Sequence, residues 1–239
     1  MGLLQDIVVS AKFLTIVPLP EPEGEVNWRN VVAFFPVVGL FVGGLLYLCS
    51  FFSALFPYLA LLLWVIISGG FHLDGLADSF DALAAGKSKE ERLSIMKDSR
   101  IGNFGAVAVA LLLIMKFNLI NSLTFKALIV LPPVWGRAML VLIPFAFDSA
   151  KKDGLGFFVK ENTGERELAV SLFVSVLSTL LITKSPAFTL FLSAFTVVFG
   201  LLWGLLWKGK IGGFTGDVLG AACEICEALV LASFLMWRL

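Results

Sequence analysis

Charge is what this sequence has least of. Only 15% of its 239 residues are Asp, Glu, Lys or Arg, and 59% are hydrophobic. A soluble domain carries about 25% charged and about 45–50% apolar residues. The apolar excess is too large for the core of a water-soluble chain of this length. Acids and bases balance at 18 each, so no bulk positive field draws the chain to nucleic acid, and none is expected as a partner. Cysteine is nearly absent. Cys223 and Cys226 spell CxxC, but their spacing is helical and no second pair exists, so they and Cys49 read as small apolar helix residues rather than a zinc or redox site. The N-terminus lacks a basic leader and a small-residue cleavage site, and Asp6 and Lys12 interrupt its apolar run. A removable signal peptide is therefore not expected. Leu3–Val17 reads instead as a helix lying partly in the membrane interface, ended by Pro18 and Pro20.

Apolar runs of the length a bilayer demands, about 20 residues, are what the chain does have. Seven segments emerge, near 31–56, 58–76, 104–121, 125–147, 168–183, 187–207 and 217–237. Charged loops at 18–30, 77–103, 148–167 and 208–216 join them on one side, and the opposite side has only short connections near Pro57, Ser122–Thr124 and Ser185–Pro186. Thirteen of the 18 Lys and Arg fall on the long-loop side and three, Lys126, Lys184 and Arg238, on the other; Lys116 and Arg137 lie inside segments. None of the 18 acids is on the far side. The positive-inside rule makes the long loops cytoplasmic. The expected fold is an all-α, polytopic transmembrane bundle forming one integral membrane domain over residues 1–239. It has about seven apolar segments and an N-terminal interfacial helix, and its chemistry is at the cytoplasmic face of the inner membrane.

Three constellations carry that chemistry. The first is Gly69–Asp81, GGFHLDGLADSFD, which falls at the cytoplasmic end of the second segment. Asp74, Asp78 and Asp81 are spaced i, i+4, i+7, within an arc of roughly 60° on one helix face. Three carboxylates on one stripe repel each other, so a cation is expected among them. Oxygen donors suit Mg²⁺, which is commonly held by one or two carboxylates plus substrate phosphates. These three aspartates are the candidate metal ligands and catalytic residues. His72, the only histidine, points about 160° from Asp74 by the same arithmetic; an interfacial role and a catalytic one both stand open for it. The second constellation is Lys97–Gly105, KDSRIGNFG, where glycines and a helix start favour an anion and Asp98 and Arg100 are candidate substrate contacts. The third is Gly212–Gly220, GGFTGDVLG, running on to Glu224 and Glu227. A helix from Asp217 places Asp217, Glu224 and Glu227 within about 80° of one another. Acids within an apolar segment are costly and seldom incidental. Thr215, Asp217, Glu224 and Glu227 are expected to bind substrate across a cleft from the Asp74 stripe, with Lys116 and Arg137 as their partners and as further substrate-binding candidates. The rival arrangement has Glu224 and Glu227 fastening helices together through Lys116 and Arg137.

Taken together, GGFHLDGLADSFD (Gly69–Asp81), MKDSRIG (Met96–Gly102) with Gly105, and GGFTGDVLGA (Gly212–Ala221) with Glu224 and Glu227 closely resemble the cobalamin synthase family, the adenosylcobinamide-GDP ribazoletransferases. Pro36, Gly39, Gly44, Lys116 and Arg137 also fit the family pattern, and the resemblance spans nearly the whole chain. It implies a Mg²⁺-dependent membrane transferase. α-Ribazole, or its 5′-phosphate, attacks the diphosphate of adenosylcobinamide-GDP, a phosphodiester forms, and GMP leaves. Metal and positive groups are what such a transfer needs. Other Mg²⁺-dependent transferases are the alternatives. The DGxxD core is shared with CDP-alcohol phosphotransferases, and a prenyltransferase would want paired Asp-rich motifs on two helices. A cation transporter would need polar groups on the far side, where the chain has almost none. The general base (a metal-bound Asp, His72 or bulk water) and assembly as a homo-oligomer are left open by the sequence.

Overall fold

Twelve α-helices make up the chain in a computed structural model that describes residues 2–22 and 24–237. They are α1 (Leu3–Leu14), α2 (Trp28–Ala33), α3 (Phe35–Leu48), α4 (Phe56–Ile67), α5 (Phe71–Ala85), α6 (Lys89–Ile95), α7 (Asn103–Asn121), α8 (Leu131–Ala146), α9 (Gly154–Glu161), α10 (Glu165–Thr183), α11 (Pro186–Ile211) and α12 (Gly216–Trp237). Glu23 and Arg238, counted above on the two sides of the membrane, lie outside the described residues. Among the described residues the only β-pairing is one parallel bridge, Ser149 with Phe214.

Six stretches are long and apolar enough to cross a bilayer, and the chain is a multi-pass membrane protein. The first stretch, Phe35–Ile67, is itself two helices. Between α3 and α4 the backbone leaves helical geometry at Phe52 and Ser53, where Ser53 has φ 46°, and α3 and α4 pack against each other. With that reversal counted, each of the seven apolar segments has its helix.

The second segment departs from the expectation of one helix ending in the acidic stripe. α4 stops at Ile67, and Gly69 and Gly70 take left-handed φ of 62° and 72° before α5 starts. Twelve residues rise only about 18 Å, short of the roughly 30 Å hydrocarbon core, so α5 carries the pass onward. α7 lies antiparallel along both halves. The ring of Tyr58 on α4 sits 4.8 Å from that of Phe117, Lys116 lies over the Trp64 ring, and Gly105 abuts Ala77 of α5. Irregular backbone at membrane depth is tolerated where it is enclosed by protein or lines a cavity.

α8 and α12 form the centre of the bundle, with most of each helix buried inside the protein. The other passes surround them and turn apolar side chains outward, among them Leu111, Leu190 and Leu202. α10 shows the inversion that lipid favours. Its buried face is Glu167, Ser171, Ser175, Ser178 and Thr179, and Phe173 and Leu181 face out. Small polar residues let helices approach closely where lipid tails remove the reason to bury leucine. Ser175 and Thr179 donate to the carbonyls of Ser171 and Ser175, and Trp135 Nε1 of α8 donates to Thr179 Oγ1 at 2.9 Å.

The long loops share one end of the bundle. Arg29 pairs with Glu167 at 2.8 Å, Asp148 and Phe214 are joined backbone to backbone, and the 98–102 segment returns over α5. At the other end Lys126 lies over the Phe56 ring and Phe188 packs on Trp237. α1 ends at Leu14, three residues before the expected limit, and its continuation is tied to the α4 terminus by Ile16 N–H donating to the Ile67 carbonyl at 2.9 Å. The three cysteines are free and buried, as expected of small apolar helix residues.

Candidate functional site

Two glycines determine where the acidic helices meet. A Cβ on Gly75 would lie 2.7 Å from the Asp217 carbonyl oxygen and 2.9 Å from its Cα, and one on Gly220 would lie 3.2 Å from the Cα of His72. α5 and α12 therefore cross with their backbones in contact, as only glycine permits. The crossing sets Asp74, one residue before Gly75, beside Asp217 in the first turn of α12. Both line a cleft of about 630 Å³ at the long-loop end, along with His72, Thr215, Lys97 and Lys151. Thr215 Oγ1 donates to Asp217 at 3.2 Å and accepts from the N–H of Val218, which caps α12. Apart from Ser149 and Asp153 the rest of the wall is apolar and aromatic, with Phe13, Phe35, Phe71 and Phe157 among its residues.

Asp78 stands one turn along α5, half-buried. Desolvation first, and then the charges of Asp74, Asp217, Asp81 and Asp98, push its carboxyl up to about 7. The mutual repulsion expected of the aspartate stripe is thus present and is joined by Asp217 from α12. Among the described residues no three acids, histidines or cysteines converge as a ready-made metal cage.

Asp81 takes a position the helical spacing does not foretell. It is buried, and its two carboxylate oxygens accept from the backbone N–H of Gly102 at 2.7 Å and of Gly105 at 2.9 Å. A Cβ at either glycine would come within 2.4–2.5 Å of those oxygens. The Gly102–Gly105 turn is indeed an anion site at a helix N-terminus, and the anion is the protein's own Asp81. Of the three candidate metal ligands, Asp81 is thus the one already bonded by backbone amides. Asp74 and Asp78 keep the free carboxylates, and Asp81 docks the start of α7 onto α5. Asp98 and Arg100 bind each other at 2.6 Å, with the Arg100 side chain 86% exposed, and neither lines the cleft. Arg100 holds the Asp98 carboxyl down at about 2.

Glu224, Glu227, Lys116 and Arg137 also differ from their expected substrate-facing place. All four are buried. Lys116 Nζ reaches Glu224 at 2.6 Å and Glu227 at 2.5 Å, and Arg137 pairs with Glu227. Trp64 Nε1 donates to Glu227 at 3.3 Å, and the Lys116 ammonium lies 4.3 Å above the Trp64 ring. Two cations and two anions cancel, and the network ties α4, α7, α8 and α12 together. The physical reason is desolvation. A charge within the membrane must be matched where it sits, so these acids take the bases within reach rather than waiting for a ligand. The ion pairs of the rival arrangement, with the glutamates fastening helices, are present in the structure.

Of the sequence candidates, then, Asp74, His72, Thr215 and Asp217 share the cleft, with Asp78 beside it. Lys151 and the apolar wall went unnoticed in the sequence, and Lys97 counted only as part of a motif. The glycines of Gly154-Leu155-Gly156 were the available signal, since a Cβ at Gly156 would lie 2.8 Å from the backbone nitrogen of Gly216, which packs the start of α9 against that of α12.

Known proteins match this chain over nearly its full length. Residues 6–235 match the family model described as cobalamin-5-phosphate synthase. Curated relatives include the adenosylcobinamide-GDP ribazoletransferase of Acetivibrio thermocellus, 32% identical with 100% of both chains covered. Those of Alkaliphilus oremlandii, 34% identical over 96% of each chain, and Clostridium botulinum (strain Kyoto), 33% identical over 98% of this chain and 99% of the relative, carry the same name. No solved structure matches. With a family model and full-length relatives in agreement, the chain belongs to the cobalamin-5-phosphate synthase family.

Proposed function

We infer that this protein is an adenosylcobinamide-GDP ribazoletransferase, which joins α-ribazole or its 5′-phosphate to adenosylcobinamide-GDP with release of GMP in cobalamin assembly. The geometric observation that carries the reading is the crossing of α5 and α12 at Gly75. It sets Asp74 and Asp217 together in a cleft at the long-loop end that also has an apolar, aromatic wall. Charged phosphate chemistry and flat apolar rings both belong to such a pair of substrates.

The acids fit Mg²⁺. Burial first, and then the neighbouring carboxylates, push Asp78 towards its protonated form, and a hard cation beside it would favour the charged carboxylate. With two or so carboxylates offered rather than a closed cage, substrate phosphates would complete the shell, the usual arrangement for Mg²⁺. Asp74 and Asp78 would hold the ion, which when bound supplies neutralisation of the diphosphate charge. The remaining work is done by the chain itself. Asp217, oriented by Thr215, faces the diphosphate from α12. The apolar wall excludes water from the reacting bond, and the hydroxyl of ribazole approaches from the aqueous mouth. The excess of Lys and Arg on the long-loop side supports a cytoplasmic active site.

Purified protein in detergent or vesicles, given Mg²⁺, α-ribazole and adenosylcobinamide-GDP, should release GMP in step with a ribazole-linked corrinoid. Absence of GMP with folded protein and both substrates present would refute the assignment.

A further inference from the structure

A diphosphate brought into a cleft walled by carboxylates needs cations of the protein's own. Arg100 is committed to Asp98 and faces solvent. Lys116 and Arg137 are neutralised inside the bundle by Glu224 and Glu227. The basic side chains that line the cleft are Lys97, just after α6, and Lys151, in the loop between α8 and α9. Among the described residues neither ammonium group makes an ion pair or a side-chain hydrogen bond, in contrast to Lys160 of α9, which bonds the carbonyls of Pro144 and Phe147.

The position of Lys151 is built. The one β-bridge among the described residues joins Ser149 to Phe214. Ala150 N–H donates to the Phe214 carbonyl at 2.8 Å, and Phe214 N–H donates to the Asp148 carbonyl at 3.1 Å. The pairing is so close that a Cβ on Gly213 would lie 2.2 Å from the Asp148 oxygen. Lys160 braces the same loop from below, with Asp148 at 3.3 Å and the end of α8 through its carbonyls. Lys151 follows this clamp by one residue and Asp217 follows Phe214 by three, so the bridge holds base and acid side by side at the mouth of the cleft. A base at the end of a pinned loop is preorganised, so little ordering entropy is lost when an anion binds.

We propose that Lys151, held beside Asp217 by the Ser149–Phe214 bridge, is a binding residue for the diphosphate of the guanylylated substrate, with Lys97 as its partner from the α6 side of the cleft. The assignment rests on the transferase reading above and specifies which side chains meet the diphosphate. Lys151 has no role on this account in holding ribazole, which carries no diphosphate.

The experiment measures KM for each substrate separately, by GMP release, in wild type, Lys151→Ala, Lys151→Arg, Lys97→Ala and Lys152→Ala. Loss of one charge-assisted phosphate contact should raise KM for adenosylcobinamide-GDP on the order of tenfold to a hundredfold in Lys151→Ala. KM for unphosphorylated α-ribazole and the thermal midpoint should stay near wild type. Lys151→Arg, which retains a phosphate-binding cation, should recover most of the loss. Lys97→Ala should move the same constant in the same direction, and Lys152→Ala, on the exposed neighbour, should leave it unchanged. Inorganic pyrophosphate should inhibit wild type more strongly than Lys151→Ala. An unchanged KM for the guanylylated substrate in Lys151→Ala would overturn the proposal while leaving the transferase reading intact. So would a loss spread equally over both substrates and the thermal midpoint, because that pattern belongs to a loop brace. A wild-type enzyme that releases no GMP would remove the transferase reading and this assignment with it.

Discussion

Replacing Glu227 by glutamine keeps the shape of the side chain and removes one charge from a site with no solvent. In the native protein the Glu227 carboxylate accepts from Lys116 at 2.5 Å, from Arg137 and from Trp64 at 3.3 Å, and receives a long contact from Cys223 Sγ at 3.8 Å. Glu227→Gln leaves Lys116 and Arg137 to share Glu224, so one positive charge stays buried and unmatched among four helices. Breaking one partner of a buried ion pair costs about 3–5 kcal/mol. At about 2–4 °C per kcal/mol for a chain of this size, the thermal midpoint should fall by roughly 6–20 °C. Adding Lys116→Met to the variant restores charge balance, and the double-mutant cycle should return a coupling on the order of 0.5–3 kcal/mol. The assay is thermal unfolding in detergent followed by tryptophan fluorescence, alongside GMP release per folded molecule measured well below the midpoint. That rate should remain close to wild type, since neither glutamate lines the cleft. A midpoint within about 2 °C of wild type together with lost GMP release would refute the reasoning and return the glutamates to the substrate.

Asp74→Asn and Asp78→Asn should each lower GMP release at least about a hundredfold with little loss of folded protein, because each removes charge next to the diphosphate; full activity of Asp74→Asn at ordinary Mg²⁺ would exclude it as a ligand. Asp78 also gives a pH test. Its folded-state carboxyl is pushed up to about 7 from the ordinary 3.8, so between those values the folded protein holds a proton that the unfolded chain has released. Stability in chelator should therefore fall as pH rises from 3.8 to about 7 and level off above, and Asp78→Asn should flatten that slope in thermal scans. Gly102→Ala or Gly105→Ala drives a methyl into the Asp81 carboxylate and should cost about 1–3 kcal/mol of stability, read as a lower thermal midpoint. A reporter in the Lys151–Arg166 loop should be cytoplasmic and one fused after Leu239 outside; finding both on one side would contradict the topology.

The sequence by itself determined the class of fold and the end of the molecule where the candidate cleft lies. Runs of apolar residues near bilayer length leave helices as the economical solution, because unpaired backbone groups in lipid are costly. Confining every acid to the long-loop side or to helices descending from it marks that end, and GGFHLDGLADSFD, MKDSRIG and GGFTGDVLGA together carried the family resemblance. Even the break in the second segment was spelled by Gly69-Gly70, although the apolar run across it read as one helix.

What only the tertiary structure decided is which charges are free. Helical spacing placed Asp74, Asp78 and Asp81 on one face correctly and could not reveal that Gly102 and Gly105, 21 and 24 residues away, return to occupy the third. The sequence named Lys116 and Arg137 as partners of Glu224 and Glu227, 90 to 111 residues away, but could not show that these pairs are buried off the cleft wall, leaving Lys97 and Lys151 as the lysines that line it. Periodicity reports a side chain's direction within its own helix. Whether a charge there is spent on a partner or left for a ligand depends on which helices cross, and here close contacts at glycines such as Gly75 and Gly220 set that crossing.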